Sequence, residues 1–427
     1  MTSLLRTVVC PNCWHSYEPA DSVWVASDHP SLADDPKLGE GVPRRFLPDR
    51  FDAAGNALDA RGNACTEVAC PRCHLLVPRA CLELPATLLS VFGREGAGKS
   101  YFLAAMAWEL RRMARGTFNL SFSDADPALN ALLNENVASV FGRADGGDVR
   151  LLSSMIRKTQ ETGEQYRTVR VGGANQSYLQ PFVFVARPCE GHPLYAEQTP
   201  SRPAGRVVCL YDNAGESFRP GADSSSAPVT RHLAKSEAMI FTFDPTQEAA
   251  FRPRLRGAKA GGFAAFRPQE PVLQEAAKRV RQFAGMGAGE RDARPLIVVV
   301  TKSDAWMHTL SHLDPERPLW RKVRDDSKGV STHVLDVAAI EMLSGATRQV
   351  LSETCGEIVA AAESFSEDVT YIPVSAVGEA TQLAGDDEEV GVAAGDTRPQ
   401  NAALPFLLAM AKSPSRLVAA GRKKQSA

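Results

Sequence analysis

The sequence predicts an α/β protein: a three-layer sandwich around a mostly parallel sheet, with a small N-terminal zinc-binding module in front. Three observations carry that expectation. Apolar runs of strand length, such as 238–243 and 295–300, each end in a short polar loop and alternate with segments of helical period. One such loop, Gly93-Arg-Glu-Gly-Ala-Gly98-Lys99-Ser100, fits the phosphate-binding pattern G-x-x-x-x-G-K-[ST]. Ahead of it stand two Cys-Pro-x-Cys pairs, Cys10/Cys13 and Cys70/Cys73.

The 427 residues are enough for one large domain and a smaller module, with boundaries expected at 1–83, 84–412 and, for a flexible basic tail, 413–427. A net charge of −2 and 44% hydrophobic residues give no footing for a strongly charged partner such as nucleic acid. No apolar run approaches the roughly 20 residues needed to span a bilayer. The first residues lack the apolar core of a secretory signal, so a cytoplasmic location is expected. In a reducing compartment, two pairs among nine cysteines point to metal rather than disulfides.

In chain order, the two-residue gap in each Cys-Pro-x-Cys pair lets both thiolates of a turn face one tetrahedral ion, so Cys10, Cys13, Cys70 and Cys73 are expected to hold a structural Zn2+. His74 and Cys65 stand as substitute ligands. The insertion between the pairs carries Trp24, Phe46 and Phe51 and is rich in loop-forming residues.

The run 86–92 reads as a strand and 99–115 as a helix, with Phe102, Leu103, Met106 and Leu110 at helical spacing. Gly93, Gly96 and Gly98 allow the tight turn that points backbone N–H groups and the helix N-terminus at phosphate oxygens. Lys99 is expected to reach the β and γ phosphates, Ser100 to ligate Mg2+, and Tyr101 to complete the nucleotide-binding turn. Residues 119–123 read as a strand, 127–141 as a helix started by Asp126, and 177–187 and 206–211 as strands. The last delivers Asp212-Asn-Ala-Gly215-Glu216, a D-x-x-G loop in which Asp212 would hold a water of the Mg2+ shell and the Gly215 N–H would sense the γ-phosphate. Thr159, Thr162 and Thr168 are the candidates for a threonine completing that shell.

After strand 238–243 come a turn at Asp244-Pro245-Thr246 and an arginine-rich loop, 251–267, read as a solvated insertion. A helix at 271–283 leads to the apolar run from Pro295, which delivers Thr301-Lys302-Ser303-Asp304. Asp304 can accept from guanine N1–H and its amine, groups adenine lacks, and the Lys302 stem can cover the base. A long helix is expected over 333–364, with Leu335, Ala339, Met342, Ala346 and Val350 on one stripe. Strand 369–374 then runs into Ser375-Ala376-Val377-Gly378, where the Ala376 N–H would donate to guanine O6. An acidic loop at 385–399 and a short helix precede the tail.

In this order the four motifs resemble those of P-loop GTPases of the translation-factor and Ras-like (TRAFAC) class, over about 84–412. The cysteine-bearing front and the DNAGE and TKSD variants look more specifically like a bacterial double-GTPase family, encoded beside a second GTPase in conflict or stress systems. The resemblance implies a P-loop NTPase sandwich, Mg2+-dependent hydrolysis of GTP to GDP and phosphate, a switch cycle, and a protein partner that is itself a GTPase. It casts Lys99, Gly215 and Glu216 as catalytic, Glu216 standing where many Ras-like proteins carry the glutamine that orients water. Glu95 occupies a position those proteins fill with glycine, which would obstruct an arginine supplied by a partner and leave Arg94 as a local cation. The competing reading is a scaffold that binds GTP or GDP without turnover and holds a partner through its zinc module.

Overall fold

Each of the seven runs expected to be strands contributes one strand to a single sheet. In the computed structural model, which describes residues 3–142, 149–151, 155–156, 165–199, 203–218, 230–255, 268–310, 313–314, 317–325, 329–378, 381–382, 390–393 and 397–421, these are β1 (Ala86–Gly93), β2 (Leu120–Asp124), β3 (Phe182–Pro188), β4 (Arg206–Asp212), β5 (Ala238–Phe243), β6 (Leu296–Val300) and β7 (Val369–Pro373). Their spatial order is β7-β6-β5-β1-β4-β3-β2. The five strands from β7 to β4 are mutually parallel, and β3 runs antiparallel to both its neighbours. The sheet is therefore mixed, with its parallel part buried on both faces.

Alternation along each strand sorts the core into layers. Leu89 and Val91 of β1, Val208 and Leu210 of β4 and Ile240 of β5 face one side. There they meet α1 (Lys99–Phe118) and the later α6 (Leu404–Lys412). On the other side Phe92, Phe241 and Val298 pack against α3 (Glu270–Ala284), α4 (Val337–Thr354) and α5 (Gly356–Phe365). The remainder of that second face, at Leu88, Val207, Cys209 and Tyr211, is covered by the N-terminal module. The module thus occupies the place of a helix, and its four cysteines share one apolar cluster with β1, β3 and β4.

Several expectations are corrected. Run 177–187 is two strands, Ala174–Leu179 and β3, because Gln180-Pro181 interrupts it; the first pairs back on Tyr166–Val171 as a hairpin. The helix expected from 127 is α2 (Ala131–Phe141): Asp126 accepts from the Ala128 N–H in a turn rather than capping it. The long helix over 333–364 is also broken. Val330–Asp336 is a strand paired with Trp320–Asp325, the Asp336 carboxylate accepts from the Ala339 N–H to start α4, and Cys355 separates α4 from α5. Met342, placed on the expected stripe, is 48% exposed, while Leu343, Val350 and Leu351 are buried.

Within the expected acidic loop, Val390–Ala393 is a strand paired with Val149–Leu151; its Asp386, Asp387, Glu388 and Glu389 lie outside the described residues. The tail expected from 413 begins as packed chain: Leu417 and Val418 are buried and Ala420–Gly421 pairs with Leu335 and Asp336, the basic residues 422–424 lying outside the described residues. Among the described residues no helix is long and apolar enough to cross a membrane.

Candidate functional site

Strand order places the loops after β1, β4, β5 and β6 side by side, at the carboxyl ends where the connections diverge to either side of β1. That is where parallel sheets open a crevice. Gly93 ends β1 at φ 157°, and a Cβ there would lie 2.1 Å from Thr242 Oγ1, so only glycine lets β1 and β5 approach. Gly98 starts α1 in the left-handed region. Lys99 is buried, and its ammonium donates to Gly93 O at 3.5 Å, across the mouth of the turn. Ser100 is half-buried in the first helical turn. Tyr101 packs with Ala376 against the small Val140–Met155–Val377 cluster, and burial pushes its phenol up to about 12.

The Asp212 loop touches this turn. A Cβ at Gly215 would lie 2.6 Å from the Glu95 nitrogen and 3.1 Å from Gly93 O. Asp212 is buried at the end of β4, opposite Val91. The Glu216 backbone lies in a 3-10 turn, Gly215–Phe218, and its side chain lies outside the described residues. Thr168 is exposed on the hairpin strand Tyr166–Val171, whose Tyr166 hydroxyl meets Ser217 Oγ at 3.3 Å; Thr159 and Thr162 lie outside the described residues.

The loop after β6 is tied to the same turn through Thr301, whose hydroxyl lies 3.0 Å from Ala97 O and 3.1 Å from Phe243 O. Lys302 holds φ 54°, and its ammonium pairs with Asp244 at 2.6 Å. Ser375 donates to Asp304 Oδ1 at 2.6 Å and accepts from Gly378 N, so the loop after β7 closes on the Thr301–Asp304 loop. Every sequence-derived nucleotide motif therefore lies at one rim.

At the module, the four sulfurs all lie within 4.8 Å of one another, with Cys10–Cys73 at 3.8 Å and Cys13–Cys70 at 3.7 Å. A tetrahedral ion with bonds of about 2.3 Å needs sulfurs about 3.8 Å apart, so the quartet fits Zn2+. The knuckles repeat one design. In each, the N–H two residues on donates to the first sulfur at 3.4 Å, from Asn12 to Cys10 and from Arg72 to Cys70. In each, a left-handed residue follows the second cysteine, Trp14 or His74. Burial pushes the Cys10 thiol up, a cost that a bound cation offsets. The four sulfurs complete a tetrahedral set among the described residues without the substitutes, His74 Nδ1 bonding the Asp35 carboxylate at 2.9 Å and Cys65 Sγ pointing to Asn63 O. Burial alone would raise the Asp35 carboxyl, but His74 and the Lys37 and Arg45 N–H groups outweigh it and hold it at about 2.

No family model and no curated protein matches the chain. Solved structures show distant similarity. A crystal structure of Sup35 complexed with GDP aligns at 13% identity and a TM-score of 0.20, covering 69% of this chain and 38% of that one. The S. cerevisiae Ski7 GTPase-like domain bound to GTP aligns at 12% and 0.23, covering 69% and 43%. The chain thus spans less than half of either, and an overlap of that size is too small to fix a shared fold.

Sequence reasoning missed two side chains at the rim, Asp244 and Gln247. The Gln247 amide donates to Gly96 O and to Asp244 Oδ2, both at 3.0 Å, and Asp244 holds Lys302, so the loop after β5 links the glycine turn to the Thr301 loop. Their signal was present: a polar loop after a fully apolar strand, like its neighbours. In the loop expected to be solvated, Arg254 makes a surface ion pair, while Arg94 of the glycine turn is held by a neighbouring carbonyl. Arg254 pairs with Glu353 at 2.7 Å, and Arg94 donates to Pro268 O at 2.6 Å; Arg256, Lys259 and Arg267 lie outside the described residues.

Proposed function

We propose that the chain binds GTP and GDP at this rim, hydrolyses GTP to GDP and phosphate, and works as a molecular switch. The observation that carries the reading is mutual contact between separate loops: Gly215 against the glycine turn, Thr301 on Ala97 O, and Ser375 on Asp304. In this P-loop reading the backbone N–H groups of the turn and the Lys99 ammonium hold the phosphates, and the Gly215 N–H senses the terminal one. Ser100 and Asp212 would hold Mg2+, whose chemistry is to neutralise charge developing on the phosphate oxygens. Ser375 orients the Asp304 carboxylate toward the N1–H and amine of guanine, and Ala376 donates to O6. Glu216 orients the attacking water. Zn2+ in the four-cysteine site is structural, and the protein partner is a second GTPase, as the resemblance implies.

Comparative binding of GTP and ATP tests the base assignment. Asp304→Asn should move preference toward XTP, because an amide can donate to the xanthine carbonyl; equal base selection by variant and parent would overturn it. One observation favours the non-hydrolysing scaffold: Glu95, whose backbone nitrogen lies against Gly215, adds an exposed carboxylate to the turn that this reading assigns to the phosphates. Single-turnover phosphate release separates the two readings.

A further inference from the structure

A buried chain of specific contacts runs from the first cysteine knuckle to the Asp212 loop, and neither site needs it for its own construction. Trp14 donates its indole N–H to the Tyr211 hydroxyl at 3.1 Å, and that hydroxyl donates to Pro11 O, inside the knuckle, at 2.6 Å. The Tyr211 ring stacks on His232, with centroids 4.5 Å and planes 10° apart. His232 bridges Ser90 Oγ at 2.6 Å and Asn213 Oδ1 at 2.8 Å. Asn213 Oδ1 can only accept, so Nε2 donates to it, while Ser90 Oγ, which also meets Ser236 Oγ at 2.6 Å, faces Nδ1. Asn213 follows Asp212 and is the second residue of the D-x-x-G loop.

Tyr211, His232 and Asn213 are fully buried. Asn213 Nδ2 is buried there without a hydrogen-bond partner, but the contacts from Pro11 and Trp14 reach Asn213 Oδ1 through fully buried Tyr211 and His232, so a displacement at one end is carried to the other by close packing. Along β4, alternation gives the two ends to adjacent residues: Tyr211 reads the knuckle, and Asp212 ends the strand at the rim. Losing the ion removes the common centre of four buried sulfurs. The Pro11 carbonyl and the Trp14 indole then lose the fixed position that Tyr211 depends on.

We propose that Trp14, Tyr211 and His232 are positioning residues through which metal occupancy of the four-cysteine site sets the geometry of the 212–215 loop. The same relay then sets that loop's preference for a nucleoside triphosphate over a diphosphate, a clause that rests on the nucleotide-binding reading above. The test uses the full chain, parent and Tyr211→Phe, each with its zinc and after chelation, with zinc content measured. Amide hydrogen exchange is read at 213–218, with β6 as internal control. Affinity is compared for GDP and a non-hydrolysable GTP analogue.

Tyr211→Phe should keep its zinc, exchange faster at 213–218, and lose about fivefold or more of the triphosphate preference. Chelation should do the same to the parent and add little to the variant. Trp14→Phe, which removes the donor and part of the ring while leaving the Tyr211–Pro11 bond, should give a smaller change in the same direction. Chelation that alters exchange at 213–218 equally in both proteins, or in neither, overturns the relay. Coupled exchange without nucleotide binding by the parent would sustain the relay and overturn the nucleotide reading; nucleotide binding with an unmoved triphosphate preference would overturn the relay's functional clause.

Discussion

The cysteine module and the loop rim of the sheet both gather residues distant in sequence onto short loops, but different forces hold them. At the rim, five parallel strands of five to eight residues, buried on both faces, deliver the loops, so their positions follow from the apolar core. In the module, most strands have only two residues, and the loops are held by Asp35, Asp59 and the four thiols. A small core leaves a deficit that metal binding fills, whereas a large one needs no ligand to keep its shape.

That contrast can be broken from either side. The largest effect is expected from Cys70→Ser, which should lose zinc and on the order of 5 kcal/mol of stability in the module, read by metal content and thermal melting. If the melt is unchanged, the metal is not what holds the module. Next is Glu109 on α1, which accepts from the Ala403 N–H at 2.7 Å. Burial, partly offset by that bond, raises its carboxyl to about 7.

The folded state therefore binds its proton more tightly than the unfolded chain. Stability is full below about pH 4.5 and falls as pH rises through 7, by up to about 3 kcal/mol. Glu109→Gln should flatten that slope in denaturant titrations, and a slope that persists would place the penalty elsewhere. Asp35 has the opposite sign: its carboxyl is held at about 2, so its contribution, about 2 kcal/mol, is present above about pH 4 and lost as pH falls through 2. Asp35→Asn should cost about that much at pH 7 and loosen the second knuckle through His74. The smallest effect is expected from Gln247→Leu, about 1 kcal/mol. It removes the donor to Gly96 O and should weaken nucleotide binding more than it lowers the melting temperature; the reverse order would make Gln247 a packing residue only.

The rim was legible in the sequence where a loop follows an apolar run and carries a fixed motif at its carboxyl end, as after β1, β4, β6 and β7. The strand at 238–243 was read to the residue, and so was the pairing of cysteines. What failed was local punctuation. Pro181 cannot donate to a ladder and splits an otherwise continuous apolar run. Val330, Thr332 and Val334 are β-branched at alternate positions, a strand pattern hidden beside a helical stripe whose Met342 faces solvent. Asp244, Gln247 and His232 carry no motif at all; their roles come from three-dimensional proximity to Lys302, Gly96 and Asn213.

The shared apolar cluster also dictates an order of assembly. Residues 8–84 are made first, yet the cluster that covers their knuckles includes Tyr178, Val183, Val207 and Tyr211, which emerge some hundred or more residues later. During synthesis the four thiols therefore wait without their apolar lid, open to solvent and to metal, until β3 and β4 arrive to seal them.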